Sequence, residues 1–266
     1  MTPGFVFRLA LVLVLAGLAA ACWACFVEPH MIRVERVNVP IDSLPDALDG
    51  FTIGVISDLH LDTTPFSVVR RAADLLAKAN PNITVVLGDL AGAPSLIDSI
   101  NQAIEPLGQP YGVRGNWDRW WEAESLRDRV NLHMLVNSGQ LVAPGLWVGG
   151  VDDALVGSPS IDEAMAEDTG DSIRILLAHE PDIALAVKPE HRISLQISGH
   201  SHGGQVCLPF VGALLLPPLG SQYPVGLQEA PTHWVYTTRG VGMSHIPVRF
   251  LCLPEISLIT LVKRPS

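Results

Sequence analysis

The stretch "FTIGVISDLH", residues 51–60, decides the fold of this chain. Its first seven residues are mostly β-branched or apolar, which is typical of a strand buried on both faces. Asp58 and His60 follow directly, where that strand ends. A buried strand that ends in two polar side chains predicts an α/β sheet with ligand-binding residues at its carboxyl edge.

A short apolar run followed by a polar side chain recurs along the chain. Helical apolar spacing over residues 67–79 follows the first run, and strands and helices alternate after it. Two of the predicted helices are one over residues 121–130 and one that begins with the capping pattern of Ser160 and Glu163. The alternation predicts a layered α/β core, with further polar side chains at the strand ends: Asp89, Asn116, His179, His200 and His202.

Together these strand ends carry seven ligand-type side chains. They are two carboxylates, four imidazoles and one carboxamide: Asp58, Asp89, His60, His179, His200, His202 and Asn116. Such a mixed oxygen and nitrogen set, without a thiolate, favours manganese, iron or zinc over copper or an iron–sulfur cluster. One ion would not use so many ligands, whereas two ions about 3.5 to 4 Å apart need a bridging carboxylate, for which Asp89 is the natural candidate.

Taken singly, the motifs differ in strength. "SDLH" and "GDL" each also fit a helix cap or a turn. "GHSHGGQ" is stronger, because two histidines two residues apart between glycines rarely arise from core packing. Their common order, each at a strand end, makes the metal-site interpretation stronger than any single motif does.

The five motifs "SDLH", "GDL", "GNWD", "LAHEPD" and "GHSHGGQ" resemble the signature blocks of the calcineurin-like metallophosphoesterase superfamily. The resemblance implies a four-layer αββα sandwich in which Asp58, His60, Asp89 and His202 hold one metal ion. It implies that Asp89, Asn116, His179 and His200 hold the other, and that a metal-bridging hydroxide held at Asp89, with Asn116 and His200, attacks a phosphate ester or anhydride. The tail from residue 239 onward is similar to membrane-associated bacterial members, among them phosphodiesterase-like proteins and transmembrane UDP-2,3-diacylglucosamine pyrophosphatases.

In "GNWD", Trp117 stands where most relatives have a histidine that assists the leaving group. An indole cannot release a proton near neutral pH. General acid help is worth about 10² to 10⁴-fold in rate, so its loss penalises alkyl monoesters most. A phosphate leaving group, with a second pKa of about 6, needs no such proton. The motif therefore favours a pyrophosphate or an activated diester, unless Asp118 or Arg119 replaces the missing acid.

Four side chains are predicted to contact substrate: Trp117, Asp118, Arg119 and Arg239. For Arg239 a structural salt bridge is the alternative. The apolar, Pro-rich stretch "LPFVGALLLPPLGSQYPVG" after the last histidine pair fits three roles: a cover for acyl chains, a contact with a bilayer, or ordinary core. Of the domain cysteines, Cys207 and Cys252 are predicted to be separate thiols, with a disulfide between them as the alternative.

The N-terminus predicts membrane association. Residues 9–27 carry no charge and approach the roughly 20 apolar residues that span a bilayer. We assign residues 1–29 to a single-pass anchor, 30–50 to a linker and first strand, and 51–266 to the catalytic domain. A cleaved signal peptide, suggested by small residues at 19–21, and a lipoprotein cut before Cys22 are the alternatives. Basic residues flank the segment on both sides, so the side of the membrane stays open.

Charge limits the partners. The chain has 17 Lys and Arg against 27 Asp and Glu, a formal net charge of −10, so no nucleic-acid partner is expected. The expected activity is that of a metal-dependent phosphoric ester or anhydride hydrolase acting on a phosphate-containing small molecule or lipid. The sharpest version cleaves UDP-2,3-diacylglucosamine in lipid A biosynthesis. The alternatives are an extracytoplasmic phosphodiesterase for cell-wall polymers or nucleotides and a catalytically weak, metal-stabilised binding protein.

Overall fold

The computed structural model describes residues 2–118, 128–168 and 170–264. It begins with helix α1, Pro3–Cys22, whose side chains face outward rather than into the protein. A π-helical turn over Trp23–Val27 and a 3-10 turn over Glu28–His30 continue the helix. Residues 3–30 together are long and apolar enough to cross a membrane, with a mean hydropathy of 2.5.

The rest of the described chain contains three further α-helices and fourteen strands, joined by loops and short 3-10 turns. The helices are α2 (Phe66–Lys78), α3 (Ile97–Ile104) and α4 (Ile161–Met165). The strands are β1 (Arg33–Ile41), β2 (Thr52–Ile56), β3 (Ile83–Leu87), β4 (Tyr111–Val113), β5 (His133–Met134), β6 (Ser138–Ala143), β7 (Leu146–Gly150), β8 (Ile173–Leu177), β9 (Ile193–Ser198), β10 (Cys207–Leu208), β11 (Gly212–Ala213), β12 (Gly226–Glu229), β13 (Trp234–Thr237) and β14 (Glu255–Lys263).

The strands form two six-stranded sheets and one small hairpin. The first sheet has the order β1-β14-β2-β3-β4-β5, and the second has the order β12-β13-β9-β8-β7-β6. Strands β2 to β5 run parallel in the first sheet, as do β7, β8, β9 and β13 in the second. Since parallel strands end at the same edge, each sheet presents its loops on one rim.

The two sheets pack face to face, and helices cover their outer faces. Ile53 and Val55 of β2 and Ile175 and Leu177 of β8 belong to one core between the sheets. The alternate residue Ile56 packs instead with α2 and α3 on the outer face of the first sheet. Leu176 likewise packs with α4 outside the second sheet. Because successive side chains of a strand point to opposite faces and both faces are apolar, each sheet packs on the other sheet and on helices. The result is the predicted four-layer αββα sandwich.

The ends of the chain close the first sheet. β1 pairs in parallel with β14 along nine residues, and β14 pairs antiparallel with β2. The predicted helix cap is present, because the Ser160 hydroxyl accepts a hydrogen bond from the Glu163 backbone N–H at 3.3 Å. Most of the helix predicted over residues 121–130 lies outside the described residues. β6 and β12 were not predicted, because they are short and only partly buried. The β10–β11 hairpin was not predicted, because its strands have two residues each and lie in an apolar, Pro-rich stretch without a strand period.

Candidate metal centre

All seven predicted ligands lie at the rim where the parallel strands end. The first sheet supplies Asp58 and His60 after β2, Asp89 after β3 and Asn116 after β4. The second sheet supplies His179 after β8, and His200 and His202 after β9. The rims of the two sheets face each other, so the structure brings together side chains that are up to 144 residues apart in sequence (202 − 58). We call these seven residues the metal centre.

Two groups of ligand atoms share Asp89. In the first, the ligand atoms of Asp58, His60, Asp89 and His202 all lie within 4.8 Å of one another. The His60 Nε2 atom is 3.3 Å from the Asp89 Oδ2 atom and 3.2 Å from the His202 Nε2 atom. The His202 Nε2 atom is 3.5 Å from Asp58 Oδ1.

The second group joins Asp89 to the second sheet. It consists of Asp89, His179 and His200, again with ligand atoms within 4.8 Å. The His179 Nε2 atom lies 3.3 Å from the same Asp89 oxygen that faces His60, and 3.2 Å from the His200 Nδ1 atom. The side chain of Asn116 lines the pocket above Asp89. One carboxylate oxygen thus lies between the two groups, where a bridging ligand would be.

Two arrangements of polar atoms fit cations at this centre. The buried Oδ1 atom of Asn116 has no hydrogen-bond partner among the described residues. In addition, the Nε2 atoms of His60 and His202 converge, an arrangement that two neutral imidazoles tolerate only if a proton or a cation lies between them. The nitrogen and oxygen donor set suits divalent ions of the manganese, iron or zinc type.

The charges of the centre are organised around Asp89. Burial would raise the pKa of Asp89, but the charges of and hydrogen bonds from His179 and His60 outweigh burial and hold it well below its usual range. Burial lowers the pKa of His202 well below normal and that of His200 to about 4. These three groups are therefore in the deprotonated form that binds metal.

Contacts outside the ligand set orient the imidazoles. The His179 Nδ1–H donates to the Leu87 carbonyl at 2.6 Å, and the His200 Nε2–H donates to the Pro218 carbonyl at 2.8 Å. The other nitrogen of each ring therefore faces the centre, as is usual for metal-binding histidines. The second oxygen of Asp89 accepts the Trp117 backbone N–H at 2.8 Å.

The backbone at the ligands is strained. Five ligands have a left-handed φ: Asp58 (54°), His60 (41°), Asp89 (52°), His200 (67°) and His202 (51°). Each such residue costs on the order of 1 to 3 kcal/mol, a cost that is concentrated at functional sites.

Two glycines allow the loops to approach closely. A Cβ atom on Gly115 would lie 2.4 Å from the Asp89 carboxylate and 2.8 Å from the His179 ring. On Gly199 it would lie 2.0 Å from the Ser57 hydroxyl. Only glycine fits beside the ligands at these positions.

A cavity of about 530 Å³ opens above the metal centre. Asp89, Asn116, His200 and His202 form its base. Its sides, which we call the pocket wall, consist of Trp117, residues 214–218, His245, Ile246 and Val248. Several side chains of the wall are largely exposed and apolar, among them Leu215 and Ile246. The volume suits a ligand of drug size, and apolar sides over a polar base are typical of such pockets.

The predicted substrate contacts have different surroundings. The Trp117 ring contacts the His60 ring edge to face at a centroid distance of 4.9 Å, and it contacts His245 at 5.2 Å. Asp118 is buried, and its carboxylate accepts the backbone N–H groups of Leu90 at 2.8 Å and Gly115 at 2.9 Å. Burial, followed by the charge of Asp89, raises the pKa of Asp118 to about 7. Asp118 therefore connects two loops, and its predicted substrate contact stays a prediction.

The arginines near the site bind other protein groups or lie outside the described residues. Arg239 forms a salt bridge with buried Glu255, which is the alternative that the sequence left open. Glu255 also accepts the Tyr236 hydroxyl at 3.0 Å. Arg249 is fully buried and donates to backbone carbonyls, including that of Cys252 at 3.2 Å. Arg119 lies outside the described residues, so its predicted substrate contact stays a prediction.

Two features beside the centre extend the sequence analysis. His245 lines the pocket although no spacing pattern indicated it, because it enters the site from a tail loop more than 40 residues after His202. Cys207 and Cys252 are free thiols, as predicted. The Cys252 thiol donates to the His202 carbonyl at 3.2 Å and thereby supports the loop that carries the last ligands.

The fold and the centre define a class of enzyme, the metal-dependent phosphoester hydrolases with a divalent-metal site at the rim of a double sheet. Residues 51–204 match the family model of the calcineurin-like phosphoesterases. The chain belongs to this family.

Its relatives are similar over most of its length. The Bacillus subtilis protein called uncharacterized metallophosphoesterase YkuE is 32% identical over 255 residues, which cover 90% of this chain and 88% of that protein. Phosphodiesterase YaeI of Escherichia coli is 28% identical, over 89% of this chain and 91% of its own. A Danio rerio transmembrane protein with metallophosphoesterase domain is 30% identical over 86% of this chain. This chain spans 57% of the Danio rerio protein's length.

Proposed function

We propose that this protein is a membrane-anchored enzyme that hydrolyses a phosphodiester or pyrophosphate bond in a lipid-linked substrate, with two divalent cations held by the metal centre. Manganese is the first candidate, with iron or zinc as alternatives. The observation that carries the proposal is the pocket: an apolar wall stands directly over a buried, polar metal centre. Such a cavity would hold a phosphate at its base and an apolar group against its side.

The protein residues would bind and orient the substrate, and the cations would act as Lewis acids toward its phosphate. When bound, two such cations polarise a phosphoryl oxygen and lower the pKa of water toward neutrality. Asp89 would hold both, since its Oδ2 atom faces both groups. Asn116 and His200 reach the pocket base from opposite sheets and would complete the second cation site beside Asp89 and His179. With the centre fixed by strand ends and backbone hydrogen bonds, little rearrangement is needed during the reaction.

Trp117 favours substrates whose leaving group departs without receiving a proton. Its indole has no proton to release, and neighbouring Asp118 is engaged with backbone amides. A pyrophosphate or an activated diester has a leaving group that departs unprotonated, whereas an alkyl monoester does not. UDP-2,3-diacylglucosamine, with a pyrophosphate between a nucleoside and an acylated sugar, is the most specific form of the proposal.

Membrane attachment of the whole chain rests on α1. Its outward-facing apolar side chains have no protein partner within the described chain that would bury them. A lipid environment removes that surface from water, at about 25 cal/mol per Å². The anchor would hold the catalytic domain close to a substrate that resides in the bilayer.

The test compares three substrates on the purified full chain in nanodiscs, loaded with Mn²⁺. We expect hydrolysis of bis(p-nitrophenyl) phosphate and of a lipid-linked pyrophosphate, and at least about 10²-fold slower hydrolysis of an alkyl phosphomonoester. Asp89→Asn serves as the inactive control. If protein that retains its metals is inert toward all three, it is a metal-stabilised binding protein and the proposal is wrong.

A second candidate is an extracytoplasmic phosphodiesterase acting on cell-wall polymers or nucleotides. The similarity to phosphodiesterase YaeI over 89% of this chain favours it. Location separates the two, because precursors that carry UDP are cytoplasmic whereas wall polymers lie outside. Reporters fused to the C-terminus that are active on only one side of the membrane would decide between them.

A further inference from the structure

An exposed apolar hairpin lies beside the pocket. Strands β10 and β11 form it, with residues 209–211 at its tip, and we call residues 207–213 the apolar hairpin. At the tip, Phe210 is fully exposed and Val211 is 69% exposed. Two residues past the hairpin, Leu215 is 82% exposed. Apolar side chains clustered in this way on a protein surface mark a binding surface rather than a solvent-facing one.

The sequence of this region offers no charge with which to bind a charged partner. The chain has 17 basic and 27 acidic residues, yet none of them falls between Gln205 and Glu229. A surface with no charge over so long a stretch gains nothing by binding an acidic or basic protein. It does suit the hydrocarbon boundary of a bilayer, where apolar side chains enter and charges are costly.

Hydrogen bonds connect the apolar hairpin to the end of the apolar N-terminal helix. The Arg249 backbone N–H donates to the Ala24 carbonyl at 3.0 Å, and the Cys252 N–H donates to the carboxylate of Glu28 at 2.6 Å. The Cys207 N–H, at the start of the hairpin, donates to the Phe250 carbonyl at 2.8 Å. One short segment, residues 249–252, therefore binds both the helix end and the hairpin. The hairpin is held next to the place where the helix leaves the domain.

The pocket wall begins directly after the apolar hairpin. Residues 214–218 follow β11 directly, and the Pro218 carbonyl contacts His200 of the metal centre. The chain thus runs without a break from the apolar tip, along the pocket wall, to a ligand. A surface that faced lipid at the tip would place the pocket opening at the level of the lipid headgroups.

We propose that the apolar hairpin is a second membrane contact, which inserts Phe210 and Val211 into the bilayer beside the helix and turns the pocket toward the lipid headgroups. The partner is the lipid bilayer itself. The proposal goes beyond the proposed reaction, because it concerns how the domain is oriented, whichever phosphate bond is cleaved. With two membrane contacts, the helix end and the hairpin tip, the catalytic domain could rotate less relative to the bilayer than with one anchor.

Photo-crosslinking of the full chain tests the contact directly. p-Benzoylphenylalanine is incorporated at position 210 and, as a matched control, at position 141, where Leu141 is 55% exposed on edge strand β6. In nanodiscs of phosphatidylcholine and phosphatidylglycerol, we expect lipid adducts at position 210 to exceed those at position 141 by about tenfold on irradiation. Equal adduct yields at the two positions would overturn the proposal, whatever the activity.

A double variant, Phe210→Glu with Val211→Glu, tests the consequence. Neither residue lines the pocket, so hydrolysis of soluble bis(p-nitrophenyl) phosphate should stay unchanged. Hydrolysis of a phosphodiester embedded in the nanodisc should fall about tenfold, because two charges cannot enter the apolar layer. Leu141→Glu should change neither rate. Equal rates for the double variant and the parent on the embedded substrate would count against the proposal. If the double variant does not fold, the crosslinking result alone decides.

Discussion

The metal centre and the pocket wall are a few ångströms apart and differ in almost every physical respect. The residues of the metal centre are polar and mostly buried, they follow strands of both sheets, and backbone carbonyls hold its imidazoles. The pocket wall is largely apolar and partly exposed, and it comes from loops. The centre, with Trp117 where the wall touches it, therefore sets what kind of bond can be broken, and the rest of the wall sets which molecule presents that bond. Substitutions in the two regions should have effects of different kinds.

Asp89→Ala should have the largest effect, because it removes the one carboxylate shared by both ligand groups. We expect bound metal to fall from two ions per chain toward none, and kcat/KM for bis(p-nitrophenyl) phosphate to fall by about 10³-fold or more. Elemental analysis by mass spectrometry and steady-state kinetics measure the two quantities. Treatment of the parent with EDTA should also lower its Tm, since the ions bind only the folded chain.

The matched control is Asp162→Asn, because the Asp162 carboxylate is 83% exposed and lies on α4, away from the centre. It should leave metal content and rate unchanged. Retention of two ions by Asp89→Ala would show that Asp89 does not bridge them.

Gly115→Ala breaks the centre without removing a ligand. The new methyl group would lie 2.4 Å from the Asp89 carboxylate and 2.8 Å from the His179 ring, so both must move. Because a displacement of about 1 Å can cost 10²-fold in rate, we expect kcat to fall by about that factor with the Tm also lowered. Gly170→Ala is the control, since its nearest neighbours are 3.7 Å away. A Gly115→Ala protein with the parent's kcat would mean that the ligand positions tolerate displacement.

The two regions also differ in how far the sequence predicts them. Asp58, Asp89 and His179 each follow an apolar run strong enough to identify a buried strand, so their shared rim is predictable from topology. The left-handed backbone of these ligands and the close approach of Gly115 to Asp89 cannot be predicted from the sequence, because they arise from loop packing that has no periodic signal. The pocket wall is unpredictable for the same reason. His245 and residues 214–218 meet only in the folded chain, about 30 residues apart in sequence.

Trp117→His changes the wall at the point where it touches the centre. The indole packs on His60, and an imidazole there would supply the acid that the parent lacks. We expect alkyl monoester hydrolysis to rise by about 10²-fold while bis(p-nitrophenyl) phosphate hydrolysis changes little, because only the monoester needs the proton. Trp117→Phe, which keeps a ring but adds no acid, should give no gain.

A second measurement separates this explanation from one in which His245 already donates the proton. His245→Ala in the parent should leave the ratio of diester to monoester turnover unchanged. If His245→Ala depresses monoester turnover alone, or if Trp117→His leaves the ratio where it was, the site has another acid.

Leu215→Ala should have the smallest effect, confined to substrates with an acyl chain. The side chain is largely exposed and lines the pocket, so its truncation leaves the fold and the metal centre intact. Removing its contact with an acyl chain would cost about 1 kcal/mol, which corresponds to a roughly fivefold higher KM for the lipid substrate. KM for bis(p-nitrophenyl) phosphate should stay constant, as should both values in Leu141→Ala, which truncates an equally apolar side chain outside the pocket. If KM rose equally for the soluble and the lipid substrate, the wall would shape the metal centre itself. Bond chemistry and substrate choice would then not be separate properties of the two regions.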